Sequence, residues 1–128
     1  MAENKRILVI DDNLSILRTM TRLLSREGYD VHTAQTIEEA SEKLLTKKFD
    51  VALIDVGLGK TLGTDLLPQM SKVAPGMLKI IFTGTPMSKD TLDEVNRGAD
   101  LLLLKPVKPE TLIGILDEKL GRKQVQAN

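Results

Sequence analysis

The chain has 128 residues, with 18 Lys and Arg balanced by 18 Asp and Glu, and contains no cysteine. That length suits one domain with a buried core, and zero net charge gives no electrostatic reason to expect nucleic acid or an anionic membrane as a direct partner. The lack of cysteine excludes a disulfide framework and cysteine-rich metal sites, and the absence of a signal peptide or membrane-length apolar run makes a soluble, cytoplasmic protein the expectation.

In chain order, ILVI (7–10) is an apolar run closed by carboxylates and reads as a buried strand. NLSILRTMTRLLSREG (13–28) then sets Leu14, Leu17, Met20 and Leu24, with Ile16 and Leu23, at helical spacing, and Gly28 supplies the stop. YDVHTA (29–34) is a weaker strand. TIEEASEKLLTKK (36–48) opens on Thr36 with Glu39 three residues on, a capping box that satisfies orphan amides at a helix start. VALI (51–54) is the next strand, and GTDLLPQMSKV (63–73) a short helix expected to start at Thr64. LKIIF (78–82) is a strand, SKDTLDEVNRG (88–98) a helix from Ser88 to Gly98, and LLLL (101–104) the last strand. PETLIGILDEKLG (109–121) closes the pattern with Pro109 in a tolerated first-turn position.

Strands alternating with helices imply parallel pairing through right-handed crossovers, hence an open α/β sheet covered on both faces. One domain is expected over residues 1–122, with 123–128 a polar tail or the start of a linker.

DVGLGKTLGTD (55–65) contains Gly59-Lys60-Thr61 in the strand-to-helix setting of a nucleotide-binding loop. Such a loop needs its first glycine five positions before Gly59, so that successive amides can wrap phosphate oxygens; that position is Ile54, inside the strand. Lys60 therefore reads as a solvated loop lysine.

Ligands of open parallel sheets bind beyond the carboxyl ends of the strands. There the chain places Asp11, Asp12 and Asn13; Asp55; Thr83 and Gly84; Lys105 and Pro106. Like charges at 4 Å repel by roughly 4 kcal/mol at an effective dielectric near 20, so three carboxylates call for positive charge. Lys105 offsets one. A hard divalent cation would offset the others, and Mg²⁺ completes its shell with water and phosphate oxygens, which points to a phosphoryl substrate. A carboxylate can be the nucleophile of such a transfer, and Asp55 on the central strand is the candidate.

The motifs IDD, LID with Gly63 eight residues after its aspartate, FTG and LKP, in this order, resemble those of the receiver domain of two-component response regulators, including the single-domain chemotaxis-type regulators. The resemblance runs from ILVIDDN to the helix after LLLLKPVKP. It implies a flavodoxin-like (βα)5 doubly wound sheet of order 2-1-3-4-5, with Asp55 accepting a phosphoryl group from a sensor histidine kinase or phosphotransfer protein. Asp11, Asp12, Asp55 and the backbone carbonyl of Gly57 would hold Mg²⁺, or Mn²⁺ in its place. Lys105 would pair with phosphoryl oxygens, Thr83 would act as the switch, and a cis bond would join Lys105 to Pro106.

On this resemblance the downstream partner is a protein target or effector domain, and the fourth helix, fifth strand and fifth helix form a face that could also pair two copies. Two departures stand out. The switch position that commonly holds an aromatic residue is assigned to Leu103, and Gly59 replaces a usual loop proline. Gly57 and Thr85 fall where access of the hydrolytic water is influenced. The absent aromatic motivates an alternative, a phosphorylation-independent interaction module. His32, in the weakest strand, is expected at the surface away from the site.

Overall fold

The computed structural model describes residues 5–58, 61–84 and 87–121. Strands β1 (Arg6–Ile10), β2 (Asp30–Ala34), β3 (Val51–Asp55), β4 (Leu78–Thr83) and β5 (Leu101–Leu104) form one parallel sheet of order β2-β1-β3-β4-β5. Burial follows that order. The three inner strands are covered on both faces and are almost wholly buried, whereas edge strands β2 and β5 are mostly half-buried.

Helices α1 (Leu14–Arg26), α2 (Ile37–Thr46), α3 (Leu67–Val73), α4 (Lys89–Gly98) and α5 (Pro109–Lys119) connect and follow the strands. Because successive strand side chains point to opposite faces, the core divides in two. Leu8, Ile10, Ala52, Ile54 and Ile81 pack with residues of α2, α3 and α4; Ile7, Val9, Leu53, Ile80 and Phe82 pack with residues of α1 and α5.

The helix starts have local causes. Asn13 accepts the amide of Ile16 at 3.2 Å, Thr36 accepts that of Glu39 at 3.1 Å, and Ser88 accepts that of Thr91 at 3.1 Å. The Glu39 carboxylate reaches back to the amide of Gln35 at 2.6 Å, one residue before the cap. Gly28, at φ 91°, supplies the left-handed turn after α1.

The third helix differs from expectation. A 3-10 turn, Gly63–Leu66, precedes α3, which begins at Leu67 rather than at Thr64. Pro68 has no amide hydrogen for the carbonyl four residues back, so regular α bonding is delayed to this point. Ahead of that turn, Gly57–Leu58 pairs with Thr61–Leu62 as a small antiparallel hairpin. Gly59, Lys60, Thr85 and the 123–128 tail lie outside the described residues.

Candidate functional site at the carboxyl edge of the sheet

Parallel pairing brings four strand ends to one level: Ile10 pairs with Ile54, Asp55 with Phe82, and Thr83 with Leu104. The residues that follow or end these strands, Asp11, Asp55, Thr83 and Lys105, therefore share a rim. Asp11 continues β1 by donating its amide to the Ala34 carbonyl at 3.0 Å. Its side chain is 4% exposed, with Oδ1 accepting the Asn13 amide at 2.9 Å and Oδ2 lying 3.3 Å from Lys105 Nζ. The same ammonium lies 3.4 Å from Asp55 Oδ1. One cation thus bridges two carboxylates from different strands.

Asp12 completes the acidic group: one oxygen each of Asp11, Asp12 and Asp55 can be chosen so that all lie within 4.8 Å of one another. Opposed ligands of an octahedral Mg²⁺ are about 4 Å apart, so a small closure of this cluster fits a hard divalent cation with oxygen ligands. Lys105 is aimed by its backbone, whose amide donates to the Thr83 carbonyl at 2.8 Å, and the peptide bond to Pro106 is cis. Thr83 is buried beside it. A Cβ added at Gly84 would rest 3.5 Å from Lys105 Cβ, in ordinary contact, so glycine leaves one flank of the lysine stem uncovered.

Leu103 does not belong to this group. It packs with the α1 and α5 side of the core, whereas Leu102 packs with the α2, α3 and α4 side. Thr83 follows Phe82, which belongs to the α1 and α5 side, and so faces the other way, with Leu102 and Leu104. Leu103 and Thr83 are therefore on opposite faces of the sheet.

His32 is away from the rim, half-buried against Phe49 with ring centroids 5.5 Å apart, and its Nε2 lies 3.3 Å from Asp30. Asn13 was visible in the sequence only as a rim neighbour; its two roles, holding Asp11 and capping α1, appear in three dimensions. Tyr29 and Asp117 were not paired by any local signal. The Tyr29 hydroxyl donates to Asp117 Oδ1 at 2.6 Å across 88 positions of chain, and both residues are buried.

Residues 7–117 match the family model for the response regulator receiver domain. The chain is 36% identical over 122 residues to the alginate biosynthesis transcriptional regulatory protein AlgB of Pseudomonas putida, covering 95% of this chain and 27% of that one. It is 33% identical over 124 residues to the alkaline phosphatase synthesis transcriptional regulatory protein PhoP of Bacillus subtilis, covering 97% and 52%. The chain therefore spans between about a quarter and half of the length of these relatives. Among solved structures, a CheY-like response regulator receiver domain protein from Methanospirillum hungatei is 39% identical with a TM-score of 0.87, over 93% of this chain and 95% of that one. A Burkholderia pseudomallei response regulator, solved with a phosphorylated aspartic acid, calcium ion and citrate, is 29% identical with a TM-score of 0.79, over 96% and 78%. No helix among the described residues is long and apolar enough to cross a membrane. The fold, the acidic rim and these matches agree: the chain belongs to the receiver domain family of two-component response regulators.

Proposed function

We propose that Asp55 is the phosphoacceptor and that a sensor histidine kinase or phosphotransfer protein is the donor. The observation that carries this reading is the Lys105 ammonium held between Asp11 and Asp55 at 3.3 and 3.4 Å, within a three-carboxylate cluster. The phosphorylated aspartic acid and calcium ion of the Burkholderia relative support the same chemistry.

In the proposed step an Asp55 oxygen attacks phosphorus in line with the departing group, the new P–O bond forms as the P–N bond to the donor imidazole breaks, and the imidazole leaves with a proton. A bound Mg²⁺ or Mn²⁺, held by Asp11, Asp12, Asp55 and the Gly57 carbonyl, would supply charge neutralisation at the phosphoryl oxygens. Lys105 exchanges its contact with the Asp55 carboxylate for the phosphoryl group, and the Thr83 hydroxyl donates a hydrogen bond to it. Hydrolysis of the acyl phosphate by water resets the site.

Thr83 shares its sheet face with Leu102 and Leu104, so its movement bears on the edge of the sheet next to α4. That edge, with α4 and α5, is the proposed contact for an effector domain, a protein target or a second copy. The three-carboxylate cluster with Lys105 bridging two of its members weighs against a phosphorylation-independent module, although the run LLLL offers no aromatic residue on either face.

The test is intact mass after incubation with Mg²⁺ and acetyl phosphate. A Mg²⁺-dependent gain of one phosphoryl group, absent from Asp55→Ala, is expected. An equal gain in Asp55→Ala would remove Asp55 from the role.

A further inference from the structure

The end of the sheet opposite the acidic rim carries a recess of its own. The turns that lead into β3 and β4 frame about 580 Å³ there, a volume in the ordinary range of small-molecule pockets. Asp50, on its wall, is five residues before Asp55, about 17 Å at the rise of a strand, so the two sites are separated by the length of the inner sheet.

One part of the lining is apolar. Leu44, Phe49 and Met77 are buried there, and Val73 beside them is 40% exposed. The other part is charged: Arg6, Lys47 and Lys48 bring three cations against the one carboxylate of Asp50. Arg6 is already engaged, its Nε with Asp30 at 3.0 Å and its Nη1 with the Lys48 carbonyl at 3.1 Å, while its amide donates to the Asp50 carboxylate at 2.7 Å. These bonds fix the wall. Lys47 and Lys48 are exposed, and no ion pair among the described residues reaches either ammonium group.

We propose that this recess binds a small organic anion, with a flat apolar body against Leu44, Phe49, Val73 and Met77 and a carboxylate on the lysine side. Two unpaired ammonium groups opposed by the Asp50 carboxylate leave about one positive charge, which suits a monoanion better than a phosphate dianion. A cationic ligand would meet three like charges and one carboxylate that already accepts a hydrogen bond. The site makes no use of Asp55, so it stands whether or not that residue accepts a phosphoryl group.

The test is an NMR titration of the whole chain with 1-naphthoate. Two controls divide its chemistry: 1-naphthylmethylammonium keeps the body and reverses the charge, and acetate keeps the charge without the body. Naphthoate is expected to shift amide signals of residues 44–50 and 73–77 with a Kd below about 1 mM, and neither control to saturate there. Lys47→Glu/Lys48→Glu should bind it at least about tenfold more weakly, and Lys47→Arg/Lys48→Arg should keep most of the affinity. Both lysines are exposed, so unchanged amide signals elsewhere in the spectrum will show that the variants are folded. Shifts centred on other residues, equal binding of either control, a Kd above about 1 mM, or indifference to the Glu substitutions would each overturn the proposal.

Discussion

The two edges of the sheet use aspartate for opposite purposes. At the amino edge, each aspartate that leads into a strand clasps the neighbouring strand. Asp50 accepts the Arg6 amide at 2.7 Å and returns its own amide to the Arg6 carbonyl at 2.8 Å; Asp100 does the same with Lys79, at 2.7 and 2.8 Å. The buried Lys79 ammonium is held by the Met77 carbonyl at 3.1 Å, with Asp100 at 3.8 Å. At the carboxyl edge, Asp11, Asp12 and Asp55 crowd together around Lys105. Charges at the amino edge are matched to specific donors and stabilise strand pairing. Those at the carboxyl edge are concentrated, which costs stability and leaves the site ready for a cation and a phosphoryl group.

This contrast predicts opposite signs for substitutions of one residue type. The largest effect is expected for Asp100→Ala, which strips the Lys79 amide of its acceptor and takes a carboxylate from a nearly buried ammonium; a loss of about 1 to 3 kcal/mol in urea unfolding follows, with acetyl phosphate labelling intact. A variant as stable as wild type would show that the clasp is incidental. Asp12→Asn should move the other way: about 0.5 kcal/mol more stable without metal, by relief of repulsion, yet with a smaller rise in melting temperature when Mg²⁺ is added. Loss of metal-free stability in that variant would contradict the crowding.

The smallest effect concerns Asp30, which ties the amino edge to Arg6 at 3.0 Å. The Arg6 hydrogen bond holds the Asp30 carboxyl below its ordinary value against the opposing effect of burial, and His32 adds to the lowering. A depressed carboxyl contributes stability above its unfolded pKa, near 4, and that contribution is lost as pH falls through the folded value. Asp30→Asn should therefore narrow its stability deficit to wild type in unfolding curves taken below about pH 4. A deficit constant from pH 7 to pH 3 would show that the ion pair contributes nothing.

Much of this was written locally. Strand runs, the Thr36 and Ser88 helix starts, and the polar residues that close four of the five strands depend on neighbours a few positions away, so periodicity and capping chemistry suffice to place them. The tertiary structure decided what distant residues do together. Leu103 and Leu102 are indistinguishable in the run LLLL, and only packing against opposite halves of the core separates them. Lys79 reads as an interruption in an apolar strand until Asp100 and the Met77 carbonyl surround it. The Tyr29 to Asp117 bond, and the recess where Arg6 meets the turns before β3 and β4, join parts of the chain far apart in sequence. Such contacts depend on how the crossovers pack, which no short window of residues specifies.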